Sequence, residues 1–444
     1  MEIKFQPLLC DDKQEGLRSY LRRSERREPI VFEGRGYERN AIKEQITAIR
    51  EANKPICSTV VVQGAPGAGK TSLLHQVAKE ALRGIYGSGV IPIKLEAEAF
   101  NNPVHLLEEF LARDGGNLDA ISKTYTKDGK GKFDLQALQF GGGIQSHLPA
   151  LATRVNETPG RIWNVIKQSL NSGDDPIFIL LVDEAQRIEP NRGGKNTLVA
   201  NLHGALNVAG LKIVPVFAGL SGTRKRLRSL GATRLPGAQF DLGVFTKAEG
   251  QRVCLSTFKE LGLVKIFTDK QLDFIAKQLE IASDGWPRHL HCYMHHFVDQ
   301  ISKAHNQNKG HLDFNTVLDL GNDERIRYYH EQLEPIDHEL YEPLMKLAEE
   351  NMDKASINYK TIEHIFQDKL VNDNELEAFV KTCVHNGILD ENRDRSLSFS
   401  IPSLKTFLCT GRDVEATKRI FESRMQNLPD TDGAPSGGKD GRRN

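Results

Sequence analysis

The chain has 444 residues, 59 basic and 59 acidic, with 39% hydrophobic and 27% charged residues. That is the composition of a globular protein of two or three domains, and it excludes a disordered chain and a uniformly basic nucleic-acid binder; any nucleic-acid site must be a local patch. The longest apolar runs, such as Ile177 to Val182, are far too short to span a bilayer, and Met1 to Phe5 carries no apolar signal core, so a cytoplasmic protein without a membrane partner is expected.

Residues 1–29 are polar, with Arg18, Arg22, Arg23, Arg26 and Arg27 interleaved with glutamates, and read as a charged N-terminal arm or helix. From 30 to 245, apolar β-like runs alternate with amphipathic helices, the pattern of an α/β core with a parallel sheet. Strands are expected over 58–63, 90–95, 177–182 and 212–217. Between the second and third lies an insertion, about 114–155, with the turn-like Asp128 to Lys132 and Gly141-Gly142-Gly143; it reads as a hairpin or loop. Residues 246–335 read as a helical layer, 336–427 as a smaller domain, and the Gly-, Asp- and Pro-rich 428–444 as a disordered tail. Six cysteines (Cys10, Cys57, Cys254, Cys292, Cys383, Cys409) are scattered without a C-x-x-C pair and are expected as reduced thiols.

Gly64-Ala65-Pro66-Gly67-Ala68-Gly69-Lys70-Thr71 fits G-x-x-x-x-G-K-[ST], the phosphate-binding loop of nucleoside triphosphatases. The apolar Ser58 to Gln63 before it reads as a strand, and Ser72 to Ala78 after it as a helix, the order the motif requires. Glycines let backbone N–H groups curl around phosphate oxygens, and the helix start turns its positive end toward them. Lys70 is expected to reach the β- and γ-phosphates of ATP and the Thr71 hydroxyl to ligate Mg²⁺, with Ser72 closing the loop. About 110 residues on, Ile177 to Val182 leads into Asp183-Glu184, a buried strand ending in two carboxylates. Asp183 suits the Mg²⁺ shell through water, and Glu184 can polarise a water for attack on the γ-phosphate. The two motifs are expected on neighbouring strands of one sheet. No N-K-x-D guanine-reading sequence is present, so ATP is preferred over GTP.

With these residues the chain resembles the AAA+ superfamily, above all the branch of origin-recognition initiators and TniB-like transposition ATPases; it is also similar to STAND signalling ATPases. Phe32-Glu33-Gly34-Arg35-Gly36-Tyr37-Glu38-Arg39 resembles the F-x-G-R-x-x-E box that precedes the loop in these families, which implies that Arg35 lies near the nucleotide. Asp183-Glu184-Ala185-Gln186 resembles their D-E-A-Q form. Ile213 to Ser221 resembles the sensor-1 strand, with Ser221 as candidate and Thr223 in reserve. Ala232-Thr233-Arg234-Leu235 resembles the segment carrying the arginine finger, which implies Arg234 acting in trans on a neighbouring subunit. Gly285-Trp286-Pro287-Arg288 resembles sensor 2, which implies Arg288 above the γ-phosphate and makes 246–335 a helical lid.

Residues 338–410 read as a winged helix: helices over 338–350, 360–367 and 374–386, a strand entered at Gly387-Ile388-Leu389, a turn from Asp390 to Arg395, and a return strand from Ser396 to Ile401. This segment holds 13 acidic against 8 basic residues, and Glu375 and Glu377 lie on the would-be recognition helix, which favours a protein partner over DNA there. The run Arg224, Lys225, Arg226, Arg228 is the clearest basic patch and is the candidate for DNA. The expectation is therefore a P-loop α/β core with helical lid and winged-helix-like C-terminal domain. It would be an ATPase that assembles with itself and acts on DNA or a DNA-bound protein, as in transposition. The alternative is a nucleotide-gated switch of the STAND kind, acting through a partner effector as in bacterial defence.

Overall fold

The computed structural model describes residues 2–5, 11–25, 30–51, 59–101, 106, 176–190, 193–196, 198–200, 202, 210–232, 237–307, 309–352, 354, 356–367, 370, 372–392 and 396–410. The 114–155 insertion, Arg234, the 428–444 tail, Cys10 and Cys57 lie outside the described residues.

In chain order, β1 (Glu2–Lys4), α1 (Asp11–Glu25) and α2 (Gly36–Glu51) precede β2 (Val60–Gln63), which runs into α3 (Lys70–Leu82). β3 (Val90–Glu96), β4 (Ile177–Asp183), β5 (Lys212–Gly219), α4 (Thr223–Ser229) and β6 (Gln239–Asp241) follow. The five strands make one parallel sheet in the order β3-β4-β5-β2-β6. Both faces are covered, which is why β2 and β4 read as continuous apolar runs. Val60, Val62, Ile179, Leu181, Val214 and Val216 turn to the face packed by α3 and by Ile42, Ile46 and Ile49 of α2. Val61, Phe178, Leu180, Val182, Ile213 and Phe217 turn to the other face, with Leu227 of α4.

All four expected strands are present; β6, only three residues long, carries no readable pattern of its own. The strand order corrects one expectation: the phosphate-binding loop and Asp183-Glu184 are not on neighbouring strands. β5 lies between them, pairing Phe178↔Ile213 on one side and Val60↔Val216 on the other. Its run Ile213–Gly219 is buried throughout and takes the central slot, where a strand has partners on both sides.

After β6 come α5 (Lys247–Glu260), α6 (Asp269–Ala282), α7 (Pro287–Asn306), β7 (His311–Asp313) and α8 (Phe314–Leu333). Thr246–Glu249 and Thr268–Gln271 form reciprocal capping boxes that start α5 and α6, and Pro287 occupies the first turn of α7. The N-terminal segment does not stand out as an arm. β1 pairs antiparallel with β7, with Ile3 opposite Leu312, and Leu17 and Tyr20 of α1 are buried among Tyr293, Phe297 and Leu272 of the helical layer. Glu15, Arg18 and Arg22 lie on the exposed side of α1, opposite an apolar stripe committed to that core.

The C-terminal unit comprises α9 (Tyr341–Glu350), α10 (Tyr359–Phe366), α11 (Asp373–His385), β8 (Leu389–Glu391), β9 (Leu397–Phe399) and α12 (Pro402–Cys409). Three helices followed by an antiparallel hairpin, with Ile357 bridging to Leu397 as a third edge, give the winged-helix order. Asp390 is not in the turn, as expected, but in the middle of β8, paired with Ser398. Its core, including Leu344, Ile362, Phe379, Ile388 and Leu404, is continuous with the α3 face of the sheet through Tyr328, Tyr329 and Trp286.

Candidate nucleotide site

The loop between β2 and α3 is shaped by Gly67 and Gly69, whose φ of 83° and 93° other residues rarely adopt. Lys70 is buried, and its Nζ donates to the carbonyls of Gly64 (2.8 Å) and Ala65 (3.0 Å). Burial lowers the Lys70 pKa, while the carboxylates of Glu184, Asp183 and Asp390 act in the opposite direction. Lys70 therefore faces Asp183 and Glu184 at the end of β4 and Asp390 of β8.

Although β5 separates their strands, Thr71 Oγ1 donates to Asp183 Oδ2 at 2.6 Å. This hydroxyl–carboxylate pair is the all-oxygen donor set that Mg²⁺ prefers, so the residues fit that ion. Glu184 follows with φ 49°, the left-handed region, its backbone N–H donating to Asp183 Oδ1 at 2.9 Å. Its carboxylate accepts from Gln186 Nε2 at 2.5 Å and has Arg187 Nε at 3.7 Å. At the end of β3, Glu96 stands opposite Asp183; burial first, then the charges of Asp183, Glu98 and Glu184, raise its pKa.

Of the other expected residues, Arg35 and Arg288 lie against the loop and Ser221 lies just past the end of β5. Arg35 donates to the Ala68 and Gly243 carbonyls and lies 5.0 Å from the Phe245 ring centre, tying the box around Glu33 to the loop and the start of the helical layer. Arg288 N–H donates to Gly67 O at 3.2 Å; its guanidinium lies 3.9 Å from the Tyr328 ring centre and 3.7 Å from Glu331. Ser221 lies beside Asp390 of β8, and its hydroxyl lowers the Asp390 pKa against the larger, raising effect of burial. Thr223 is turned inward, donating to Leu220 O at 2.6 Å. In the basic run, Lys225 pairs with Glu391 at 2.9 Å, Arg226 donates to Ile188 O at 3.0 Å, and Arg224 bonds Gln239. Three of its four cations thus have partners within the chain.

Residues that sequence reasoning missed complete the surroundings. Tyr328 donates to Pro66 O at 2.7 Å. Trp286 is buried against Gly67 with its indole N–H unpartnered. Gln186 Oε1 accepts from Leu220 N–H at 3.1 Å. Asp390 accepts from Ser400 Oγ at 2.6 Å, and burial raises its pKa. Gln186 was within the D-E-A-Q segment; Tyr328 and Asp390 had no sequence signal, because they reach the site only through packing of distant helices. Among the described residues, no cluster of three or more His, Cys, Asp or Glu is arranged to hold a metal, and no helix is long and apolar enough to cross a membrane.

No protein-family model matches the sequence. No curated protein matches it either. Solved structures do. A Walker-type ATPase of Pyrococcus abyssi matches with a TM-score of 0.52 and 17% identity, over 85% of this chain and 96% of that one. The ORC2 protein of Aeropyrum pernix, solved in ADPNP–ADP complexes, matches with a TM-score of 0.54 and 13% identity, over 90% of this chain and 96% of that one. The chain shares the fold of these two solved proteins.

Proposed function

We propose that this chain binds ATP with Mg²⁺ and hydrolyses it, assembling with itself and using nucleotide state to act on DNA or on a DNA-bound protein. The observation that carries the reading is the closure of Thr71 onto Asp183 beside Glu184, at the end of the sheet where the glycine loop lies. The loop from Gly64 to Thr71 and Ser72 cradles the phosphates, and Lys70 exchanges its loop carbonyls for phosphate oxygens. Thr71, and Asp183 through water, would hold Mg²⁺, which supplies neutralisation of phosphate charge when bound. Glu184 takes the proton of the attacking water. Arg35 and Arg288 border the nucleotide from the core and from the helical lid, Ser221 senses the γ-phosphate, and Arg234 serves a neighbouring subunit. The fold shared with an ORC2 protein solved in ADPNP–ADP complexes supports the nucleotide arm of the reading.

The test is the Glu184→Gln variant. It is expected to bind ATP as wild type does and to lose at least about 100-fold in turnover, the usual worth of a general base. Normal turnover by that variant removes Glu184 from the mechanism.

A second reading, a nucleotide-gated switch acting through a partner effector, is favoured by one observation. The C-terminal hairpin sits on the phosphate-binding loop, Gly387 against Pro66 and Asp390 on Ser221. Nucleotide state and C-terminal position would then be coupled directly. ATP turnover indifferent to DNA and to protein concentration supports this reading over the first.

A further inference from the structure

Gln186 joins two parts of the site that no motif connects. Its Nε2 donates to Glu184 Oε2 at 2.5 Å, while its Oε1 accepts the Leu220 N–H at 3.1 Å. One amide therefore bridges the water-activating carboxylate and the end of β5, and only one orientation of that amide satisfies both bonds. Gly219 makes the room, since a Cβ there would lie 2.5 Å from Gln186 Oε1. Glu184 sits in left-handed backbone, which a side chain adopts only where its surroundings over-determine it. Leu220 is followed by Ser221, which lies beside Asp390 of the C-terminal hairpin. The two bonds and the backbone link form one path, Ser221, Leu220, Gln186, Glu184, that ends beside Asp390.

We infer that Gln186 is a positioning residue for ATP hydrolysis: it orients the Glu184 carboxylate and ties that orientation to the β5 end, so that a displacement of Ser221 is felt at Glu184. The inference rests on the ATPase reading above. Gln186 needs no contact with nucleotide for this, so its loss falls on turnover and leaves binding alone.

The experiment compares full-length wild type, Glu184→Gln, Gln186→Leu and Gln186→Glu. It follows steady-state ATP turnover, affinity for a fluorescent ATP analogue, and hydrogen exchange at the Leu220 amide. Gln186→Leu is expected to lower kcat about 10-fold or more, with nucleotide affinity within about twofold and faster exchange at Leu220. Gln186→Glu is nearly isosteric and keeps an acceptor for Leu220, but sets a second carboxylate against Glu184. It is expected to lose as much turnover, and to regain part of it relative to wild type as pH falls toward about 5, where the added carboxyl becomes a donor again. A merely structural role predicts a near-normal Gln186→Glu enzyme without that pH response, and this result overturns the inference, as does turnover lost only in step with affinity. Should Gln186→Leu fail to fold, Gln186→Glu decides. Wild-type turnover no faster than that of Glu184→Gln removes the ATPase reading, and this inference with it. Clear wild-type turnover with normal Gln186 variants removes this inference alone.

Discussion

Gly387 and Pro66 are packed so closely that a Cβ built on the glycine would lie 3.0 Å from the proline Cγ and closer still to Cδ. Gly387 has φ 68°, so it turns the chain from α11 into β8 in a left-handed conformation that favours glycine. The phosphate-binding loop is therefore a surface shared with the C-terminal hairpin, reinforced by Tyr328 on Pro66 O and by the Lys225–Glu391 pair.

Gly387→Val places a branched side chain where neither the backbone nor Pro66 admits one. It is expected to destabilise the protein by about 2–4 kcal/mol, from left-handed strain and overpacking together. It should also speed hydrogen exchange across residues 64–68. Unchanged protection of the loop would mean that the hairpin contact does not hold it.

Thr71→Ala removes the hydroxyl that meets Asp183 at 2.6 Å. ATP affinity in the presence of Mg²⁺ is expected to fall about 10-fold or more, while affinity measured in a chelator changes little. Titration of a fluorescent ATP analogue under both conditions checks this; an equal loss in both would assign Thr71 to the phosphates and not to the ion.

Arg325 is buried and donates to Asp284 Oδ2 (2.8 Å), Ala282 O (2.8 Å) and Tyr329 Oη (2.6 Å). It anchors the left-handed turn at Asp284 that leads into Gly285-Trp286 and so to the loop. Arg325→Met removes the buried donor to these acceptors and is expected to cost about 3 kcal/mol, read from denaturant midpoints. A loss below about 1 kcal/mol would show that solvent or neighbouring groups satisfy them.

The Glu324 carboxyl is lowered from its ordinary 4.5 to about 2, first by the hydrogen bond with His296 and then by that from Cys292. A depressed carboxyl adds stability above its unfolded pKa and loses it as pH falls through the folded one. The contribution should therefore fade between about pH 4.5 and pH 2. Glu324→Gln is expected to flatten that part of the stability–pH curve, measured by urea unfolding. Parallel curves would place the acid sensitivity elsewhere.

Arg234→Ala tests assembly. Wild-type turnover per chain should rise with protein concentration and the variant's should not, dropping at least about 10³-fold if the finger acts in trans. Turnover that is flat with concentration in both would count against self-assembly.

What the sequence determined by itself was local. The glycine loop, the buried run ending in Asp183-Glu184 and the alternation of strands and helices follow from covalent order, because phosphate binding needs consecutive backbone N–H groups and a doubly covered strand needs consecutive apolar residues. Arg35 and Arg288 were singled out through motifs close to turns. What only the tertiary structure decided was how distant segments meet. β5 between the two motif strands, α1 buried against α7, Lys225 taken up by Glu391, and Asp390 resting on Ser221 each depend on packing between elements far apart in the chain. Periodicity reports which face of an element is apolar, but it does not report which other face will cover it. The bridge from Gln186 to Leu220 is the clearest case: its residue type was in plain view, and its role came into being only when β4 and β5 were laid side by side.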